Sequence, residues 1–170
     1  MRVVKIKAKP ILLGIIIFTL LMGVANAAGT KLIFKKVDVQ VGSRTSHNLV
    51  NGNTIGDEAK PGDTVEFRIG VFNNFTSAEN LKISDIIVKT TIEEIDDGND
   101  FEEESNSFSL SPGSEKRVTM KFKVPLEIDE DTFNVVIRAD GDDRKNNTNQ
   151  ENEMTLRLDI DKETHSIKIT

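Results

Sequence analysis

The residues most suited to chemistry lie in one acidic segment, Glu93 to Glu104, with the sequence EEIDDGNDFEEE. Carboxylate oxygens at this density can bind Ca²⁺, and the candidate metal ligands are Asp96, Asp97, Asp100 and Glu102. The EF-hand spacing is absent, because Gly98 directly follows Asp96-Asp97. The alternative is that the segment is a solvated loop between two strands, and that the like charges within the loop repel each other. We expect the solvated loop and no cofactor. If Ca²⁺ binds, we expect a weak site of the kind found in extracellular proteins.

Two short motifs carry the chemistry of N-glycosylation. Asn74-Phe75-Thr76 and Asn146-Asn147-Thr148 both match N-x-[ST] without proline at the middle position. Both fall at predicted strand ends in polar loops, where an exported chain is accessible to modification. Asn74 and Asn146 are therefore candidate glycosylation sites.

Nothing in the sequence points to catalysis. The two histidines, His47 and His165, are remote from any nucleophile motif. A P-loop, a nucleophile elbow, a zinc-protease motif and a dinucleotide fingerprint are all missing. Acids are numerous enough to form a glycosidase pair, but they cluster in hydrophilic turns. We expect a protein that is not an enzyme.

Charge and cysteine content narrow the class of partner. The first 27 residues hold four of the 22 Lys and Arg and none of the 28 acids, so the remainder carries a net charge of −10. A field of this sign repels nucleic acid and anionic membrane surfaces. Cysteine, Trp and Tyr are absent, which excludes disulfides and leaves phenylalanine as the only ring on which sugars could stack.

The N-terminus has the three parts of a secretory signal. Basic residues lead to an apolar run from Ile11 to Val24, and small residues follow at 25–28. We expect cleavage after Ala27, so residues 1–27 form a signal helix and 28–170 a single domain. The alternative is an uncleaved membrane anchor, although a run of about 14 residues is short for a membrane span.

The remainder alternates apolar and polar residues with the period of half-buried strands. Four runs are regular: Thr64–Phe72, Arg117–Val124, Thr132–Ala139 and Glu153–Asp161. Their predicted inward residues are Val65, Phe67, Ile69, Val71, Val118, Met120, Phe122, Val124, Phe133, Val135, Ile137, Ala139, Met154, Leu156, Leu158 and Ile160.

Further strands are predicted from less regular patterns. The run Leu32–Val41 ends in alternating valines, and Leu81–Ile92 changes phase at Ser84-Asp85, which predicts a β-bulge. Short pieces at Ser107–Leu110 and Thr164–Thr170 complete the set. Turn residues separate the runs at 60–63, 96–100, 111–114 and 140–143. These features predict an all-β, immunoglobulin-like antiparallel sandwich of seven or eight strands with Greek-key connections.

The order of turns and strands resembles that of CARDB-like and NEW3-like domains, which are immunoglobulin-like modules of bacterial and archaeal surface proteins. The likeness rests on Pro61 to Asn74, on Leu110 to Pro125 and on Asp131 to Ile137, and it spans residues 55–160. Asp131 and Phe133 replace the Gly and Tyr usual in the last segment. The resemblance implies adhesion, spacing or protein docking, and it brings no catalytic residues.

We therefore expect an exported, non-enzymatic structural or interaction module that binds a protein at the cell envelope. Membrane contact is expected only through the N-terminal segment. One alternative is a filament subunit that self-assembles by donating a terminal strand, for which Thr164–Thr170 is the candidate. A second alternative is a module that binds Ca²⁺ or glycans through the acidic segment. We expect function to lie in the strand edges and in residues 93–104.

Overall fold

The computed structural model describes residues 29–128, 131–143, 145–146 and 148–162. They form nine strands and no helix. The predicted signal segment and the predicted strand Thr164–Thr170 lie outside the described residues. The strands are β1 Leu32–Val41, β2 Arg44–Ser46, β3 Thr64–Asn73, β4 Ile83–Asp96, β5 Asn99–Glu104, β6 Phe108–Leu110, β7 Glu115–Lys123, β8 Thr132–Asp143 and β9 Thr148–Asp159.

Two antiparallel sheets pack face to face as a β-sandwich. One sheet has the order β2-β1-β3-β7, and the other has the order β5-β4-β8-β9, with β6 following β5 along the same edge of β4. The chain crosses between the sheets from β3 to β4, from β6 to β7 and from β7 to β8. As a result, β3 pairs with β7 in one sheet while β4 pairs with β8 in the other.

The predicted alternation is confirmed in the core. Fifteen of the sixteen residues predicted to face inward in the four regular runs are buried, and Val118 is half-buried at the β7 edge. Phe67 and Phe122 meet edge to face at the centre, with ring centroids 5.7 Å apart. Both sheets contribute to a single hydrophobic core, because the period of two turns every second side chain of each strand toward the opposite sheet.

The predicted bulge in β4 is also confirmed. The pairing of β4 with β8 shifts between Ser84 and Ile87, and Asp85 has a φ of 55°. Gly141 of β8 lies against this bulge, where a Cβ atom would come within 2.8 Å of the Ile86 side chain. The predicted turn at 140–143 is wrong, because β8 continues through these residues to Asp143 and pairs with β9 over its full length.

Two strands were not predicted, which explains why the described residues alone hold more than seven or eight. The three-residue strand β2 pairs with the end of β1, and β5 lies in the segment that the sequence predicts as a loop. The strand β2 is too short to show a period. The segment of β5 has acidic residues at both alternating positions, so its pattern resembles that of a solvated loop.

The strand directions define the two ends of the sandwich. The N-terminal end carries the beginning of β1, the β3–β4 loop and the β8–β9 turn. The Lys31 amide donates to Gln150 Oε1 at 2.8 Å and so joins the residue before β1 to the start of β9. The opposite end carries the β1–β2 turn, the β4–β5 turn and residues 160–162. Residues 29 and 162 therefore lie at opposite ends.

Candidate functional site

The acidic segment 93–104 is a β-hairpin, which corrects the prediction of a loop. Strand β4 continues to Asp96, residues Asp97-Gly98 form the turn, and β5 returns along β4. Asp97 and Gly98 have φ values of 50° and 81°, the left-handed pair of a two-residue hairpin turn that Asp-Gly favours. Seven of the eight carboxylates thus stand on two paired strands, and Asp97 lies in the turn between them.

The four candidate Ca²⁺ ligands have separate surroundings in this hairpin. Asp96 pairs in register with Asn99, and Asp97 occupies the turn. Asp100 Oδ1 accepts a 2.9 Å bond from the Glu94 amide, and Glu102 pairs with the Lys89 ammonium in the same sheet. Within the described part of the chain, no group of three or more His, Asp or Glu side chains is placed to hold a metal ion. The Ca²⁺ hypothesis stays a prediction.

A polar groove of about 460 Å³ lies at the end away from residue 29, between the β1–β2 turn and the start of β3. Four of its charged residues form ion pairs: Arg44 bonds Asp57 at 3.2 Å, and Lys60 lies 3.5 Å from Asp161. The Asp63 carboxylate accepts the Lys60 amide at 3.0 Å. Glu58 also lines the groove and forms no ion pair with another described residue, so both cations of the groove are already paired while this acid is not.

A second cavity, of about 610 Å³, lies at the N-terminal end, between the start of β1, the β3–β4 loop and the start of β9. The Lys31 ammonium bridges it, 3.3 Å from Glu79 and 5.5 Å from the centre of the Phe75 ring. The backbone amide and hydroxyl of Thr76, followed by Lys31, hold the pKa of Glu79 below its ordinary value despite partial burial. The cavity thus has an apolar wall and a charged rim.

Both candidate glycosylation sites lie at this N-terminal end. Asn74 is exposed directly after β3, where its backbone amide bonds the Lys31 carbonyl at 2.7 Å. Asn146 is exposed in the β8–β9 turn and lines the cavity, and its amide nitrogen donates to Asp143 at 2.8 Å. The fold brings together two motifs that are 72 positions apart in the sequence, and both remain candidates.

One histidine is paired with a buried acid. His47 Nδ1 lies 3.4 Å from Asp38 Oδ1, and the Asn48 amide donates to the same oxygen at 3.0 Å. Burial opposes ionisation of Asp38, but the Asn48 amide, the Lys36 ammonium and His47 together hold the pKa of its carboxyl below the ordinary value. The Asn48 bond ties the residues that follow β2 to β1. His165 lies outside the described residues.

The free strand edges form the most distinctive surface. We define the charged side as strands β5 and β7, the edge strands of the two sheets on the same side of the sandwich. On β5, Glu102, Glu103 and Glu104 are exposed, and on β7 the exposed cations are Lys116, Arg117, Lys121 and Lys123. Between the two edges, Lys116 lies 4.3 Å from the centre of the half-buried Phe108 ring. An acidic edge therefore lies beside a basic edge.

The sequence reasoning located the acids but not the strand that carries them. The Asp97-Gly98 pair was a usable signal, because Asp-Gly between two strands favours a tight hairpin. No local signal identified β7 as an edge strand. The role of the buried Asn73 was also missed, since its bonds go to residues far along the chain.

No family model matches this sequence, and no curated protein matches it either. Among solved structures, the sporulation control protein Spo0M from Bacillus subtilis is similar over 74% of this chain and 49% of its own, with 17% identity and a TM-score of 0.36. The chain thus spans about half the length of that protein. The likeness at this level carries no conclusion about function. Within the described ranges, no helix is long and apolar enough to cross a bilayer.

Proposed function

We propose that this chain is an exported, non-enzymatic interaction module of the cell envelope or extracellular space. The single observation that carries the proposal is the charged side. It presents two free strand edges of opposite charge, Glu102 to Glu104 on β5 and Lys116 to Lys123 on β7. Proteins commonly recognise a partner by pairing one of its strands with a free sheet edge, whose backbone groups are unpaired. Charges on that edge select which partner binds.

The strand order supports a finer classification of the sandwich as immunoglobulin-like. In that fold, the second and fifth strands pair in one sheet while the third and sixth pair in the other. Here β3 and β7 correspond to the second and fifth strands of that fold and pair in one sheet. Strands β4 and β8 correspond to its third and sixth strands and pair in the other sheet, so the chain crosses between the sheets in the same way. The resemblance of Pro61 to Asn74 to CARDB-like and NEW3-like modules belongs to the same proposal.

Export is supported by the basic, apolar and small-residue sequence of positions 1–28 and by the two candidate glycosylation sites. Sugars on Asn74 and Asn146 would shield the N-terminal end of the sandwich. They would leave the charged side open to a protein partner, because that side runs along the strands instead of across their ends. In this proposal the N-terminal segment provides the only membrane contact, and that contact ends when the segment is cleaved.

Localisation and partner are tested in the native cell. Fractionation followed by mass spectrometry is expected to find the chain in the exported fraction with a new N-terminus at Ala28. A photo-cross-linking residue placed at Glu103 or Arg117 is expected to give discrete protein adducts, whereas the same residue at the exposed Asn134, on the outer face of β8, gives none. A chain confined to the cytoplasm, or equal adducts from all three positions, would overturn the proposal.

A further inference from the structure

The two long sides of the sandwich are closed differently. On the β9 side, residues 51–59 lie along the edge strand, with the Ile55 amide bonding the Arg157 carbonyl at 2.8 Å and the Ala59 amide bonding the Asp159 carbonyl at 2.9 Å. On the charged side, no described residue pairs with the outer edge of β5 or β7. A free edge invites pairing with another chain, so one side is protected and the other is open.

The charges on the open side do not neutralise one another within the molecule. Glu102 pairs with Lys89 and Lys121 pairs with Glu66, each inside its own sheet. Glu103 and Glu104 on β5 and the cations Arg117 and Lys123 on β7 form no ion pair with another described residue. Both signs of charge are therefore available to a partner.

Apolar surface is also available between the edges. Phe101 of β5, Phe108 of β6 and Val118 of β7 pack against the core but are only half-buried. A partner that covered this side would bury these three side chains as well as the charges. Each buried apolar side chain contributes to association in proportion to the area removed from water.

The strand directions identify which partner fits both edges together. Strand β7 runs away from the N-terminal end and β5 runs toward it. If two molecules are related by a two-fold axis parallel to the strands, β5 of the first molecule lies opposite β7 of the second. By the same symmetry, β7 of the first molecule lies opposite β5 of the second. The two new strand pairs are antiparallel, and each sets an acidic edge against a basic edge. An interface of this kind uses the same surface on both molecules and closes at two.

We propose that a second copy of this chain docks on the charged side to form a two-fold dimer, with β5 of each copy paired with β7 of the other. The inference rests on the proposed function and deepens it by naming one partner. It differs from a filament built by strand donation, since the symmetric contact leaves neither charged edge free.

The test is the mass in solution of the full chain, purified from the exported fraction and measured by sedimentation at low and high salt. The wild type is expected to be a dimer at low salt. The dissociation constant should rise at least about tenfold at high salt, because salt screens exposed charges. A monomer at the highest soluble concentration in low salt would overturn the inference, and so would species that grow beyond a dimer with concentration.

Charge-reversed variants identify the edges. The pair Arg117→Glu with Lys123→Glu reverses the net charge of β7, so that both edges are acidic, and the pair Glu103→Lys with Glu104→Lys cancels the net charge of β5, so that β5 no longer attracts the basic edge. Each double variant alone is expected to be a folded monomer, with a circular dichroism spectrum like that of the wild type. An equimolar mixture of the two should recover a dimer, since the acids introduced on β7 of one variant then meet the lysines introduced on β5 of the other, and the unchanged β5 and β7 edges meet as in the wild type. Failure of the mixture to associate while both variants are folded would refute the arrangement.

A matched control separates local from general charge effects. Glu58→Lys with Glu153→Lys changes the net charge as much as Glu103→Lys with Glu104→Lys but lies away from the charged side, at exposed acids without an ion pair among the described residues. This control is expected to remain a dimer. Should the purified protein be a monomer while Glu103 and Arg117 still give adducts with another envelope protein, the dimer fails and the proposed function stands.

Discussion

The side-chain amide of Asn73 donates a 2.9 Å hydrogen bond to the backbone carbonyl of Leu110, and this bond joins the last residue of β3 to the last residue of β6. The same amide also donates to the Leu81 carbonyl at 3.0 Å, and the Asn73 side-chain oxygen accepts the Phe75 amide. Asn73 is fully buried. One side chain therefore satisfies three backbone groups in two connections at the N-terminal end.

Replacing Asn73 with alanine is expected to lower the free energy of unfolding by about 2–4 kcal/mol, because it leaves two buried carbonyls and one buried amide without partners. Urea denaturation of the two proteins measures the change. The control is Asn74→Ala in protein without glycans, where the exposed side chain can be removed at a cost of about 0.5 kcal/mol or less. A loss below about 1 kcal/mol for Asn73→Ala would show that water replaces the missing bonds.

The Thr90→Val substitution is expected to stabilise the protein by about 1 kcal/mol. Thr90 of β4 faces the hydrophobic core and has no exposed surface. Its hydroxyl oxygen has no hydrogen-bond partner among the described residues. Valine has nearly the same shape and removes the cost of burying that hydroxyl. Thermal and urea unfolding measure the gain. The control is Thr91→Val, on the outer face of the same strand, which should change stability by no more than about 0.5 kcal/mol. If Thr90→Val instead destabilises the protein, the Thr90 hydroxyl has a hydrogen-bond partner.

Stability is expected to fall in acid partly through Glu66. Its carboxylate bonds Lys121 at 2.9 Å and Arg68 at 2.6 Å, and these two cations lower the pKa of Glu66 below its ordinary value. A lowered pKa in the folded state adds stability above the unfolded pKa, about 4.3 for glutamate, and this stability disappears as the pH falls through the folded pKa. Glu66→Gln should therefore reduce stability at pH 7 and flatten its decline below about pH 4.

The pH experiment is urea unfolding at a series of pH values for the wild type and the variant. Glu58→Gln is the control, since Glu58 is exposed away from the charged side and makes no ion pair with another described residue. Its unfolding curve should follow the wild type more closely than that of Glu66→Gln. Parallel pH profiles for all three proteins would contradict a role for Glu66 in acid stability.

Calcium is expected to leave the thermal midpoint unchanged. The carboxylates of Asp100 and Glu102 already bond the Glu94 amide and Lys89, and Asp97 lies in the turn. A site filled at one hundred times its dissociation constant would add about 2.7 kcal/mol, enough to raise the midpoint by several degrees. Melting curves with CaCl₂, MgCl₂ and a chelator measure this. A rise specific to Ca²⁺ that Asp100→Asn abolishes would support the metal-binding alternative.

The amino-acid sequence by itself determined the all-β sandwich architecture, the position of most strands and the side of each strand that enters the core. Alternation with a period of two is a local property, so Val65, Phe67, Ile69 and Val71 could be assigned inward and are buried. The bulge at Ser84-Asp85 was readable for the same reason, because an inserted residue shifts the phase of the pattern.

Only the tertiary structure decided which strands are neighbours. The Asn73 side chain bonds Leu110, which is far along the chain, and Asn74 and Asn146 lie at the same end of the sandwich although they are distant in the sequence. Most importantly, the acidic β5 and the basic β7 belong to different sheets, and they share one side because of how the chain crosses between those sheets. Local patterns carry no record of that crossing, since every pairing order of the same strands would bury the same apolar residues.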